Sequence, residues 1–124
     1  MLRFASLGSG SKGNALVVEA GNTRVLLDCG FGPRNLLQRL ARLGLGGDDI
    51  DAIVVTHEHS DHIAGAFPCA RRYGYSLHLT HGTHVAALRS KPDLHEYAVD
   101  LHLIDSHQVF AIGDLQIQPF PVPH

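Results

Sequence analysis

His57-Glu58-His59-Ser60-Asp61-His62 places four potential metal ligands, His57, His59, Asp61 and His62, within six positions. His57 and His59 are two apart, so in an extended or loop conformation both imidazoles can turn toward one ion. Asp61 and His62 follow where the chain turns toward the next helix, within reach of a second ion nearby. Three nitrogens and a carboxylate suit zinc or another borderline divalent metal better than calcium or magnesium, which want oxygen shells. The segment comes directly after residues 52–56, a short apolar run of β-branched character that reads as a strand buried on both faces. A solvated polar loop is the bland alternative, but ionisable groups seldom crowd one turn without a function.

Upstream of this turn the chain reads as β structure. Residues 2–7 form an apolar run that ends in Gly8-Ser9-Gly10-Ser11-Lys12-Gly13-Asn14, a cluster of residues that tolerate positive φ. Residues 15–20 and 23–28 are β-rich and joined by Gly21-Asn22, a strong hairpin signal. Gly32-Pro33 opens a helix on which Leu36, Leu37, Leu40 and Leu43 recur at helical spacing, and Gly44 closes it. Downstream, residues 67–73 predict a helix with Pro68 in its first turn, 76–80 a strand and 82–89 a helix. The tail returns to β structure at 101–104, 109–112 and 115–120, with Gly113-Asp114 as a turn. Helices alternate with strands in the middle and hairpins dominate both ends, which predicts a layered α/β arrangement with helices outside mixed sheets.

A length of 124 residues fits one domain, and 44% hydrophobic against 18% charged residues is a globular composition. Ten Lys+Arg against twelve Asp+Glu give a net charge of -2, which excludes a strongly basic nucleic-acid arm though not a local basic patch. No apolar stretch approaches the roughly 20 residues of a membrane span. Met1-Leu2-Arg3-Phe4 lacks the form of a signal peptide, so the chain reads as cytoplasmic. Cys29 and Cys69 read as free and buried. Ten histidines exceed what packing requires. Of those outside the turn, His81 and His84 sit three apart about a predicted helix and are most simply solvated, while His78, His95, His102 and His107 read as surface or rim residues. Arg34, Arg39, Arg42, Arg71 and Arg72 read as solvated helix faces. Gly8 to Gly13 contains G-x-G-x-x-G but leads to a strand rather than a helix, so it fails as a dinucleotide fingerprint. Lys12 and Ser11 there read as a solvated hairpin tip, with a phosphate at the site mouth as the functional alternative.

The run His57-Glu58-His59-Ser60-Asp61-His62 resembles the H-x-H-x-D-H motif of the metallo-β-lactamase-fold hydrolases. Val25-Leu26-Leu27-Asp28-Cys29-Gly30 is similar to that family's earlier Asp-bearing strand end. The Gly8 to Asn14 loop resembles that of the YycJ-like (WalJ-like) subgroup, described as exonuclease-like. Pro121-Val122-Pro123-His124 is similar to the start of the family's next metal-ligand segment.

The resemblance implies an αββα sandwich, of which these residues form the N-terminal half. It implies two divalent ions, zinc foremost, with manganese or iron as alternatives. His57, His59 and His124 would hold one ion, Asp61 and His62 the other, with Asp61 the catalytic residue and Asp28 a supporting residue behind the site. Glu58 is not a ligand; the di-iron branch of the fold carries Glu where this chain has His59, so the hydrolase pattern fits and the redox pattern does not. The implied activity is hydrolysis by a metal-activated hydroxide, with phosphodiester bonds of nucleic acid as substrate. β-Lactam or thioester hydrolysis is the alternative within enzymes, and a non-catalytic metal-binding half-domain the alternative outside them. The family's acidic bridging ligand and last histidine lie beyond His124, so residues 1–124 read as a single truncated domain. A half-sandwich leaves an apolar sheet face, which favours self-association.

Overall fold

Alternating apolar residues and tight turns set the first three strands, β1 (Leu2–Gly8), β2 (Ala15–Ala20) and β3 (Thr23–Leu27), into an antiparallel meander. Gly21 supplies the left-handed φ of 57° that the two-residue β2–β3 turn needs. A computed structural model describes residues 1–120. Helix α1 (Pro33–Ala41) follows, then β4 (Ala52–Val54), the single-turn α2 (Ser60–Ile63), α3 (Ala66–Tyr73), β5 (Ser76–Thr80), α4 (His81–Ser90) and β6 (Asp100–Ile104). The six strands form one sheet in sequence order, with β3, β4, β5 and β6 mutually parallel. β7 (Phe110–Ile112) and β8 (Leu115–Ile117) make a separate antiparallel hairpin.

Period-two alternation divides the sheet residues between two cores. Val17, Leu26, Ile53, Leu77 and Leu79 point to the helical side and pack with Leu36 and Leu40 of α1, Ile63 of α2, Phe67, Cys69 and Ala70 of α3, and Ala87 of α4. Val25, Ala52 and Val54 point the other way and meet Leu115, with Phe110, Ile112 and Ile117 of the hairpin alongside. The central strand β4 is buried on both faces, as its unbroken apolar run requires.

Four readings of the sequence change here. The helix of residues 33–41 buries only Leu36 and Leu40 of its predicted stripe; it stops before Leu43, and both Leu37 and Leu43 remain exposed. Arg39 is not a solvated helix residue: its guanidinium lies 3.9 Å from the centroid of the Phe31 ring and donates to the Leu7 carbonyl at 2.6 Å. His78 is buried rather than at the rim, because β5 is interior to the sheet. Its ring stacks between His102, at 4.6 Å, and Phe110, at 5.8 Å. The second sheet face is also not bare, since β7–β8 covers its centre. Leu2 and Phe4 stay exposed on that face at the β1 edge.

Candidate metal centre

β3 and β4 run parallel with Leu27 opposite Val54, so their carboxyl ends leave the sheet side by side, where open parallel sheets place their ligand sites. Asp28 is the first residue beyond β3. It adopts a left-handed φ of 64°, which aspartate tolerates better than most residues, and its N–H donates to Val54 O at 2.8 Å. That turn brings its buried carboxylate against the end of the neighbouring chain. Asp28 Oδ1 accepts from Thr56 N at 2.7 Å, the Thr56 hydroxyl lies 2.8 Å from Oδ2, and Oδ2 also meets His62 Nδ1 at 2.7 Å.

These contacts fix the protons. A carboxylate only accepts, so His62 carries its proton on Nδ1 and the Thr56 hydroxyl donates to Asp28. The Thr56 oxygen is then free only to accept, and His57 Nδ1, 3.0 Å away, must donate to it. In a neutral imidazole with this tautomer, Nε2 is the nitrogen that carries the lone pair. Burial foremost, then the neighbouring His62, holds His57 below the ordinary imidazole range, which keeps that lone pair available.

Donor atoms of Asp28, His57 and His62 all lie within 4.8 Å of one another, and the rings of His57 and His62 are 3.9 Å apart. His59 stands outside this tight group. It is exposed at the start of α2, with its ring edge-on to His57 at 4.8 Å. Because α2 begins at Ser60, Asp61 and His62 share its first turn, and Asp61 Oδ2 sits 3.6 Å from His62 Nε2. Imidazole nitrogens and carboxylate oxygens gathered this closely are the donor types that a divalent metal takes. His124 lies outside the described residues.

Glycine permits the loops to close this tightly. A Cβ on Gly30 would collide with the Asp61 carbonyl oxygen. Cys29 faces away from the metal cluster into the helical core, with its Sγ 3.8 Å from that of Cys69. The groove lined by Arg71, Arg72, Asp93, Glu96 and Tyr97 includes none of the candidate ligands.

Residues 8–124 match the family described as the Metallo-beta-lactamase superfamily. The chain belongs to this superfamily. It is 34% identical over 122 residues to "Exodeoxyribonuclease WalJ" of Streptococcus pneumoniae serotype 2 (strain D39 / NCTC 7466), covering 98% of this chain and 45% of that protein. It is 30% identical over 129 residues to "Exodeoxyribonuclease YycJ" of Bacillus anthracis, covering 99% and 46%. The chain therefore spans about half the length of the curated relatives it matches. Among solved structures, a B3 metallo-β-lactamase with an active-site glutamic acid superposes with a TM-score of 0.66 at 22% identity, over 91% of this chain and 47% of that one. This likeness establishes the metallo-β-lactamase fold. That fold binds divalent metals, and the Asp28, His57 and His62 cluster is a candidate site for one in this chain. Among the described residues no helix is long and apolar enough to cross a membrane.

Two residues of this candidate site are not singled out by residue type and spacing. Thr56 reads only as the polar end of an apolar strand, yet its hydroxyl links Asp28 to His57. Asn14 reads as a turn former, yet its side chain reaches Asp61. Both contacts join segments far apart in the chain, which spacing arguments cannot see.

Proposed function

We propose that this chain carries the metal-binding half of a metal-dependent hydrolase that cleaves phosphodiester bonds in nucleic acid. The observation that carries this reading is the single buried carboxylate of Asp28, which gathers His57, through Thr56, and His62 so that donor atoms of all three lie within 4.8 Å of one another. The two exodeoxyribonuclease relatives support the choice of substrate class. In this reading His57, His59 and His124 hold one ion, and Asp61 and His62 hold a second. Zinc suits these donors best, with manganese or iron as alternatives. Bound ions would supply Lewis acidity and acidify a water to near neutrality. The protein's own work is positional. Asp28 and Thr56 lock the tautomers of His62 and His57, and Asp61 is the carboxylate placed beside them to ligate and to take a proton. Residues 1–124 act as one domain that forms half of an αββα sandwich, and a nucleic-acid substrate implies action in the cytoplasm.

The test couples metal analysis to a substrate screen. Zinc, manganese and iron are quantified on the purified chain and on His57→Ala. A longer form, extended to the length of the relatives, is assayed against single-stranded DNA, a thioester and a β-lactam. The proposal expects bound metal that His57→Ala loses, and DNA hydrolysis that a chelator stops. Metal content unchanged in His57→Ala, or turnover of the β-lactam alone, would overturn it.

A further inference from the structure

Of the Gly8 to Asn14 loop only the last residue, Asn14, enters the site described above, through its contact with the candidate ligand Asp61. Asn14 Nδ2 donates to Asp61 Oδ2 at 3.0 Å and lies 3.2 Å from the Asp61 carbonyl oxygen. The same amide donates to Gly10 O at 2.8 Å, while its Oδ1 accepts from Gly10 N at 3.0 Å. Backbone bonds frame this contact: Asn14 N donates to Asp61 O at 2.7 Å, and Gly30 N donates to Asn14 O at 3.0 Å.

We infer that Asn14 is a positioning residue for Asp61, and that through it the glycine loop forms part of the metal centre. The inference rests on the reading of Asp61 as a metal ligand. The physical reason lies in the rotational freedom of an aspartate. The Asp61 side chain is partly exposed, and unlike His62 it has no hydrogen bond to Asp28. Its carboxylate would turn freely about two torsions without an anchor. One Asn14 N–H is committed to Gly10 O, and that bond with the Gly10 N–H contact fixes the amide plane. The remaining N–H therefore points at Asp61 from a rigid frame, shared between its carbonyl oxygen at 3.2 Å and Oδ2 at 3.0 Å, and holds Oδ2 on the His62 side, 3.6 Å from Nε2. The backbone bond from Asn14 N already joins the loop to α2 at the same Asp61 carbonyl that the side chain meets at 3.2 Å. What the side chain adds is the orientation of the carboxylate. Hydrogen bonds of this kind behind a metal ligand typically change affinity by about 10–100-fold.

The experiment is a double-mutant cycle on the whole chain, read by zinc affinity against a chromophoric chelator and by the visible spectrum of the cobalt-substituted protein. Asn14→Ala should weaken zinc binding by about 10–100-fold and alter the cobalt spectrum, while Lys12→Ala at the loop tip changes neither. In the Asp61→Ala background, Asn14→Ala should cost nothing further, because its effect acts only through that carboxylate. Asn14→Ser, whose hydroxyl can still close the turn on Gly10 N, serves as the second variant if the alanine chain does not fold. Costs that add in the double mutant, or an Asn14 variant that binds zinc as wild type does, would overturn the inference. A wild-type chain that binds zinc no better than His57→Ala would instead defeat the metal reading beneath it.

Discussion

Asp28 is the residue on which the site converges, because one buried carboxylate accepts from a backbone amide, a hydroxyl and an imidazole at once. Asp28→Asn keeps the shape but turns an NH2 toward groups that are themselves donors. Leaving these part-buried donors unpaired costs about 1 kcal/mol, at the low end for such groups. We expect a loss of that size in denaturant unfolding, together with zinc binding weakened by about 10–100-fold. Full wild-type stability in Asp28→Asn would show that water replaces the carboxylate. Thr56→Val removes the hydroxyl's bonds to Asp28 and His57 but keeps the Thr56 N–H on Asp28 Oδ1, and should lower zinc affinity with a smaller stability loss. At this scale, residue type and spacing single out the H-x-H-x-D-H run and Asp28 as candidates. They do not reveal which atoms meet, since Thr56 reaches Asp28 across 28 positions and Asn14 reaches Asp61 across 47.

The β7–β8 hairpin is docked by a histidine stack at one end and by a turn at the other. Asp114 Oδ2 accepts from Asn22 N at 3.1 Å, and Asp114 N donates to Thr23 Oγ1 at 2.8 Å, so the two hairpin turns grip each other. At the far side, Phe110 lies on His78, which also faces His102 and Asp100 of β6 and bonds to Ser76 through Nε2. Burial foremost, then the charge of His102, pushes His78 below the ordinary imidazole range, with Asp100 opposing. The folded state thus binds a proton less readily than the unfolded chain. The stability due to neutral His78 is complete above about pH 6.5 and is lost as pH falls from there through the lowered folded value. Melting midpoints of wild type and His78→Phe should diverge below pH 6.5, with wild type falling more steeply. Parallel curves would remove His78 as the cause.

Elements whose signal is local were legible, among them β5, the β2–β3 hairpin and the proline-opened helices. The single-turn α2 was not, because it starts inside the ligand run and is held by contacts from Cys29, Asp28 and Asn14 rather than by its own propensity. The burial of His78 escapes sequence reasoning for a related reason: nothing local says that β5 lies between β4 and β6.

The whole molecule is a sheet with one face sealed by four helices and the other covered at its centre by one hairpin. Composition and alternation predict the layers, but the docking of residues 110–117 depends on contacts about 90 residues apart and is invisible locally. Phe4 and Phe120 are 73% and 75% exposed, and Leu2 shares the Phe4 face of β1. Apolar surface of this kind favours association by roughly 25 cal/mol per Å² covered. Sedimentation velocity at rising concentration should show self-association that Phe4→Ser reduces. A wild-type chain that remains monomeric at every concentration would refute this expectation.

The buried pair Cys29 and Cys69 gives the molecule a stopwatch. Both are fully enclosed in the helical core, and the hydrogen bond to Cys29, with burial second, pushes the Cys69 thiol well above the usual thiol range. An alkylating reagent needs an exposed thiolate, so native molecules should resist labelling. Each labelled molecule then records one opening of the core beside the metal loop. When labelling of the opened chain is slower than its closing, the alkylation rate measures the free energy of opening; when faster, it measures the opening rate itself. Zinc should slow that clock in the first regime, because an ion bound only by the closed state deepens it.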